Sequence, residues 1–277
     1  MDGQMMADTL FYRGAIIAYL LSTLTYIFSL LVRRVSPARA ATWILTGAFS
    51  LHTLYFLGVW LGKGDNPLLS IHNVLSFFAW VMAGAYLAFQ LRTKTRVLGA
   101  FVSPVVFVLM IVSSIGIGGP LTVPEVLKGG LVAGHAMLSV VGEALFAVAS
   151  VAGMVYLIQD GLIKRRKSSV FMKLFPSLQD LDRINHFCLL WGFPLLTLGV
   201  VAGSIWARTV WGSHWQWDPK QIWTLAAWLI YAVLLHQRLA IGWKGHKTAV
   251  LSVAAFIILL AALLVEKSFF TTIHRFY

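Results

Sequence analysis

A chain of 277 residues in which 59% are hydrophobic and 12% charged, with a mean hydropathy of +0.80, excludes a soluble globular domain. The net charge of +12 would suit nucleic acid, but the Lys and Arg residues sit in short stretches between apolar runs, where membrane orientation accounts for them and no nucleic acid is needed. The single cysteine, Cys188, excludes an intrachain disulfide, and without a C-x-x-C-H sequence the chain holds no covalent haem of the c type.

In chain order the apolar runs predict an all-α integral membrane protein of about eight spanning helices, at 11–32, 41–61, 70–91, 97–116, 130–158, 186–207, 221–240 and 248–267. The first run has no basic stretch before it and no evident cleavage site, so it reads as a retained helix and not a signal peptide. The segments 62–67 and Gly116 to Pro120 read as turns through their Gly and Pro residues. The stretch DGLIKRRKSSVFMKLFPSLQDLDRIN, after the fifth helix, is the longest polar segment and is expected to carry a short amphipathic helix on the inner surface. No second soluble domain is evident: residues 1–277 read as one polytopic domain, with N-terminal helices over 1–116 and a second part over 130–277.

Charge orients the bundle. Of the 22 Lys and Arg residues, 15 fall on one set of alternate loops: Arg33, Arg34 and Arg39; Arg92, Lys94 and Arg96; Lys164 to Lys167, Lys173 and Arg183; and Arg238, Lys244 and Lys247. The positive-inside rule makes those loops cytoplasmic, which places both termini and the loop between helices six and seven outside. That loop is the densest feature of the chain. Eight of the eleven tryptophans lie between Trp191 and Trp243, and Trp211, Trp215 and Trp217 are crowded just before Asp218-Pro219. An interfacial aromatic belt and a helix start, Asp as N-cap with Pro at N1, explain part of this pattern. Three indoles this close exceed what anchoring needs and would form an apolar shelf for a flat aromatic ligand.

Imidazole is a common axial ligand of haem iron, so the eight histidines are informative. His135, near the outer end of helix five, and His274, in the tail after helix eight, fall on the side of the tryptophan loop, as a bis-imidazole haem site requires. His236 is embedded in the apolar stretch WLIYAVLLH of helix seven, about one turn from its inner end. His52, near the middle of helix two, is an alternative in-chain partner for it. His72 reads as structural, His186 and His246 as solvated at cytoplasmic edges, and His214 as a competing ligand inside the loop. Glu143, one or two turns inward from His135, is a candidate hydrogen-bond acceptor or proton relay, with pairing to Ser139 or a neighbouring helix equally open. Lys220 is placed to meet either a haem propionate or lipid phosphate.

The spacing W-G-x-x-W-x-W-D-P-K from Trp211 to Lys220 resembles the WWD motif of the cytochrome c assembly family, which handles haem on the outer face of a membrane. The continuation WDPKQIWTLAAWLIYAVLLHQRL is more similar to the CcsA (ResC) branch than to the CcmC branch. It departs at Gln221, where Glu is usual, and at His214, where an aromatic is usual. The resemblance implies that Trp211, Gly212, Trp215, Trp217 and Asp218 hold haem between axial His135 and His274. It also implies that His236 binds haem entering from the cytoplasmic half, with a second ligand from a CcsB (ResB) type subunit. The cofactor implied is non-covalent haem b carried as a transported substrate. Its recipient would be an apocytochrome c with C-x-x-C-H thiols, and any enzymatic role would belong to the complex, a cytochrome c synthase. The membrane implied is the bacterial inner membrane, or the thylakoid in a plastid. Three alternatives stay open: a CcmC-like handler that loads a haem chaperone, a haem-bearing electron-transfer subunit using His52 and His236, and a transporter without cofactor.

Overall fold

The structure, a computed structural model, describes residues 2–63, 68, 70–92, 96–115, 129–165 and 175–269. Among the described residues it contains eight α-helices and no strand: α1 (Asp2–Val32), α2 (Val35–Lys63), α3 (Ile71–Arg92), α4 (Gly99–Ser114), α5 (Gly130–Lys164), α6 (Leu178–Trp211), α7 (Pro219–Leu239) and α8 (His246–Phe269). Seven of these are long and apolar enough to cross a membrane, and the described apolar part of α8, His246–Ala261, is shorter. The chain is thus an all-α, multi-pass membrane protein, as its composition requires. Of the expected turn at 62–67, the first two residues belong to α2, which runs to Lys63; residues 64–67, the expected turn at 116–120 and the tail with His274 lie outside the described residues. So does 166–174, the middle of the long polar segment; on either side its residues prolong α5 to Lys164 and start α6 at Leu178.

The helices gather into two compact units, residues 1–121 with 158–181 and residues 122–157 with 182–277. In the first, α1 and α2 form a hairpin whose turn is closed by Ser29: its hydroxyl donates to the Arg34 carbonyl (2.8 Å), and its carbonyl accepts from the Arg34 N–H (3.3 Å). Arg33 takes a left-handed backbone (φ 54°) to allow it. The core of this unit is polar as well as apolar. Tyr19 and Ser76 each hydrogen-bond one nitrogen of the buried His52 (3.3 and 2.9 Å). Tyr12 donates to Ser113 and to the Met110 carbonyl, and Tyr26 pairs with Tyr86. Each bond satisfies a group that lipid could not, which ties four helices together without exposing backbone.

The second unit is built on close approach of α5 and α6. A side chain at Gly142 would fall 2.8 Å from the Gly192 carbonyl and 2.9 Å from the Leu196 nitrogen; one at Gly192 would strike the Phe146 ring at 2.7 Å. Small residues at a crossing replace the driving force that lipid denies to apolar surfaces. Helix α7 docks by stacking Tyr231 on Phe146 (centroids 3.6 Å apart, planes at 7°) and by donating the Trp228 indole N–H to Thr197 (2.9 Å). Asn185 of α6 donates to the Ala149 carbonyl of α5 (2.8 Å) and to Ser252 of α8 (2.7 Å). Cys188 is fully buried.

At one end of this unit Arg238 is buried. Its Nη1 and Nη2 donate to the two carboxylate oxygens of Asp182 (3.0 and 2.8 Å), and its Nε donates to His186 Nδ1 (2.7 Å). The same carboxylate accepts the Gly245 N–H (2.8 Å), so it fastens α6, α7 and the turn into α8 at once. Arg238 and His186 are therefore not solvated edge groups, as charge counting treats them. A bidentate carboxylate 56 residues away holds the guanidinium, and the guanidinium holds the ring.

Candidate haem-handling site

Helix α6 ends at Trp211 because Gly212 takes a left-handed backbone (φ 74°), and its N–H still reaches the Arg208 carbonyl (3.0 Å). Helix α7 starts at Pro219 behind Asp218, whose buried carboxylate accepts the Lys220 N–H (3.1 Å). That is the N-cap read from the sequence. Between the two ends the loop is closed by its own short side chains. Ser213 donates to the Trp215 carbonyl (2.8 Å), and Gln221 accepts the Gln216 N–H (2.8 Å), a task its amide performs as well as a glutamate would.

The indoles are held edge to face, Trp206 on Trp211 (5.2 Å, 74°) and Trp215 on Trp217 (5.5 Å, 89°). Two features of this pair set it apart. Trp217 is 76% exposed although its backbone is left-handed (φ 52°), a conformation that costs a non-glycine residue about 1–2 kcal/mol. The Nε1 of Trp215 is buried with no hydrogen-bond partner among the described residues. An exposed indole on a strained backbone, beside an indole N–H lacking an acceptor, suits a flat ligand carrying carboxylates.

His135 stands at the same end of the unit. Its Nδ1–H donates to the Gly199 carbonyl of α6 (2.8 Å), which fixes the tautomer and leaves Nε2 with its lone pair. The ring lies over Gly203, where a side chain would come within 2.7 Å of it, so α6 must be bare there. Ser139 fills the space above Gly199 in the same way. Lys220, at the first turn of α7, is within electrostatic range of both His135 and Glu143. The residues present therefore fit a haem: an oriented imidazole, an aromatic shelf and a nearby cation.

The remaining histidines separate cleanly. His236 is exposed, with no ring hydrogen bond among the described residues, on a face of α7 shared with Ile222, Leu225, Leu229 and Val233. Both nitrogens of His52 are engaged inside the first unit, so neither offers iron a lone pair without losing a bond. His72 keeps a buried Nδ1 with no partner among the described residues. His246 is exposed at the first residue of α8. His214 is pinned by Ser204 and Arg208. Sequence reading did not find Gly199, Gly203, Ser204 or Arg208; the G-x-x-x-G spacing at 199–203 was the available signal, since it permits a ring to lie against the helix.

Architecture and site together define a polytopic helical membrane protein that presents an aromatic loop and an oriented imidazole at one end of a helix bundle. The chain belongs to the cytochrome c assembly protein family, in its CcsA branch: the family match covers residues 68–274. It is 29% identical to the cytochrome c biogenesis protein CcsA of Guillardia theta, over 72% of each chain. It is 30% identical to the CcsA of Chlamydomonas reinhardtii, over 78% of this chain and 62% of that longer one. Its fold is similar to that of the cytochrome c haem lyase CcmF, with a TM-score of 0.69 at 16% identity; the match covers 94% of this chain but only 49% of CcmF, so this chain spans about half the length of that protein.

Proposed function

We propose that this chain binds haem and presents it for attachment to c-type cytochromes, as the CcsA subunit of a CcsA–CcsB synthase in the bacterial inner membrane or the thylakoid. The observation that carries this is His135: its Nδ1–H is committed to the Gly199 carbonyl, so its Nε2 keeps a lone pair, and its ring lies on Gly203 of the helix that runs into the tryptophan loop. Haem b is the substrate, held without thioether bonds between His135 and His274, with Trp211, Trp215 and Trp217 against its ring and Gly212 and Asp218 shaping the loop. Each thiol of the apocytochrome's C-x-x-C-H adds across one vinyl group, sulfur to one carbon and hydrogen to the other, so the addition needs no oxidant. The chain's contribution is to hold the ring and exclude competing reactions.

His236 supports a partner of the CcsB type. An imidazole facing lipid is costly, and the exposed stripe around it suits a second membrane subunit that brings the other axial ligand for incoming haem.

The test is an absorption spectrum of the purified protein with its partner. A bis-imidazole haem b, released by pyridine extraction, is expected. In His135→Ala the spin state should change, and free imidazole should restore the spectrum. A protein colourless under conditions that preserve the partner would overturn the reading.

A further inference from the structure

The strip of α6 from Gly199 to Arg208 receives two side chains from outside the helix. His135 of α5 donates to the Gly199 carbonyl and lies on Gly203. One residue further, His214 of the tryptophan loop donates its Nδ1–H to the Ser204 carbonyl (3.1 Å), and Ser204 Oγ returns a bond to the His214 carbonyl (3.3 Å). One turn on, Arg208 Nη1 donates to His214 Nε2 (3.2 Å).

We propose that His214 is a positioning residue for the haem site: through Ser204 and Arg208 it clasps the tryptophan loop to the turn of α6 that orients His135, and so sets the shelf in register with the axial imidazole. This rests on the function proposed above. Both ring nitrogens are used in the clasp, so His214 is not an iron ligand while the clasp is closed. The clasp needs a neutral ring. A protonated imidazole has no acceptor to offer, and its Nε2–H would face a guanidinium. The ionisable groups on the adjoining elements are Arg208 of α6, Asp218 and Lys220 at the start of α7, and His135 of α5. Of these, Arg208 alone hydrogen-bonds the ring among the described residues.

Hydrogen–deuterium exchange of the loop amides, in haem-free full-length protein in lipid nanodiscs, tests the clasp without haem. After correction for intrinsic rates, wild-type amides over 212–218 should be protected. His214→Ala should be unprotected. His214→Gln, which can still donate to Ser204 and accept from Arg208, should be protected. Arg208→Gln should match His214→Ala, with no further loss in the double variant. Equal protection in His214→Ala and wild type would overturn the proposal.

A second arm uses haem-loaded protein. Transfer of haem to an excess of apoprotein scavenger should be about ten-fold faster in His214→Ala, the change expected on losing one hydrogen bond to a charged group. The bis-imidazole spectrum should remain. His214→Gln keeps the same axial ligands and should retain haem as wild type does. A spectrum in His214→Ala that loses an imidazole and regains it from free imidazole would make His214 a ligand and overturn the proposal. Wild-type protein that never binds haem would overturn the proposed function, and the exchange arm would still decide the clasp.

Discussion

Trp217 is the residue at which local stability and the proposed function pull apart. Its left-handed backbone would suit glycine, and its indole is almost wholly outside the fold. Trp217→Gly should relieve about 1 kcal/mol of backbone strain while removing one wall of the shelf. The expected outcome is an intact, folded protein that gives up haem to a scavenger faster than wild type. Wild-type retention in that variant would remove Trp217 from the haem surface. Arg238 is the opposite case, a charge whose value lies in packing. Arg238→Gln leaves the Asp182 carboxylate with one partner, the Gly245 N–H, and strips His186 Nδ1 of its donor. Breaking a buried pair costs about 3–5 kcal/mol; Asp182 retains 21% exposure, so the loss should fall toward the lower end of that range. Thermal unfolding in detergent would read it as a lowered Tm.

Helices were the most legible level of this chain, because hydropathy alone separates eight apolar runs. Their ends were less so. Helix α6 begins at Leu178, eight residues before the expected 186, because Asp182, Asn185 and His186 find partners in the bundle and so remain helical. The position of the tryptophan loop was legible as well, from composition and spacing, and that of His135 from the start of the fifth apolar run. The clasp was not: His214 bonds a backbone carbonyl, and a carbonyl carries no residue signature. Nor was the Arg238 pairing, since counting loop charges treats each as solvated. The glycines of the α5–α6 crossing separate packing from flexibility. Gly142→Ala sets a methyl against backbone atoms of α6 that cannot swing aside, and should cost about 1–3 kcal/mol. Gly161→Ala, on the same helix with open space around it, should gain about 0.5–1 kcal/mol. Paired unfolding curves check the contrast, and equal Tm values would show that α5 and α6 do not meet at Gly142.

At the scale of the whole molecule, the charge distribution expects the tryptophan loop to face outward. Ser213 is exposed in that loop, so Ser213→Cys, in a background lacking Cys188, should react with an impermeant thiol reagent in intact cells. Labelling only after lysis would invert the orientation and remove His135 and His274 as outer ligands. Cys188 bears on chemistry as well as labelling. A protein that presents haem to paired thiols works where thiols readily exchange with disulfides, and any accessible sulfur on it would compete for the client. The sole cysteine here is sealed in the helix core, and a thiolate is what attacks a disulfide. If a client's sulfurs arrive at the loop, as the proposed function requires, this chain offers them no cysteine to exchange with, and the vinyl carbons are left as their target.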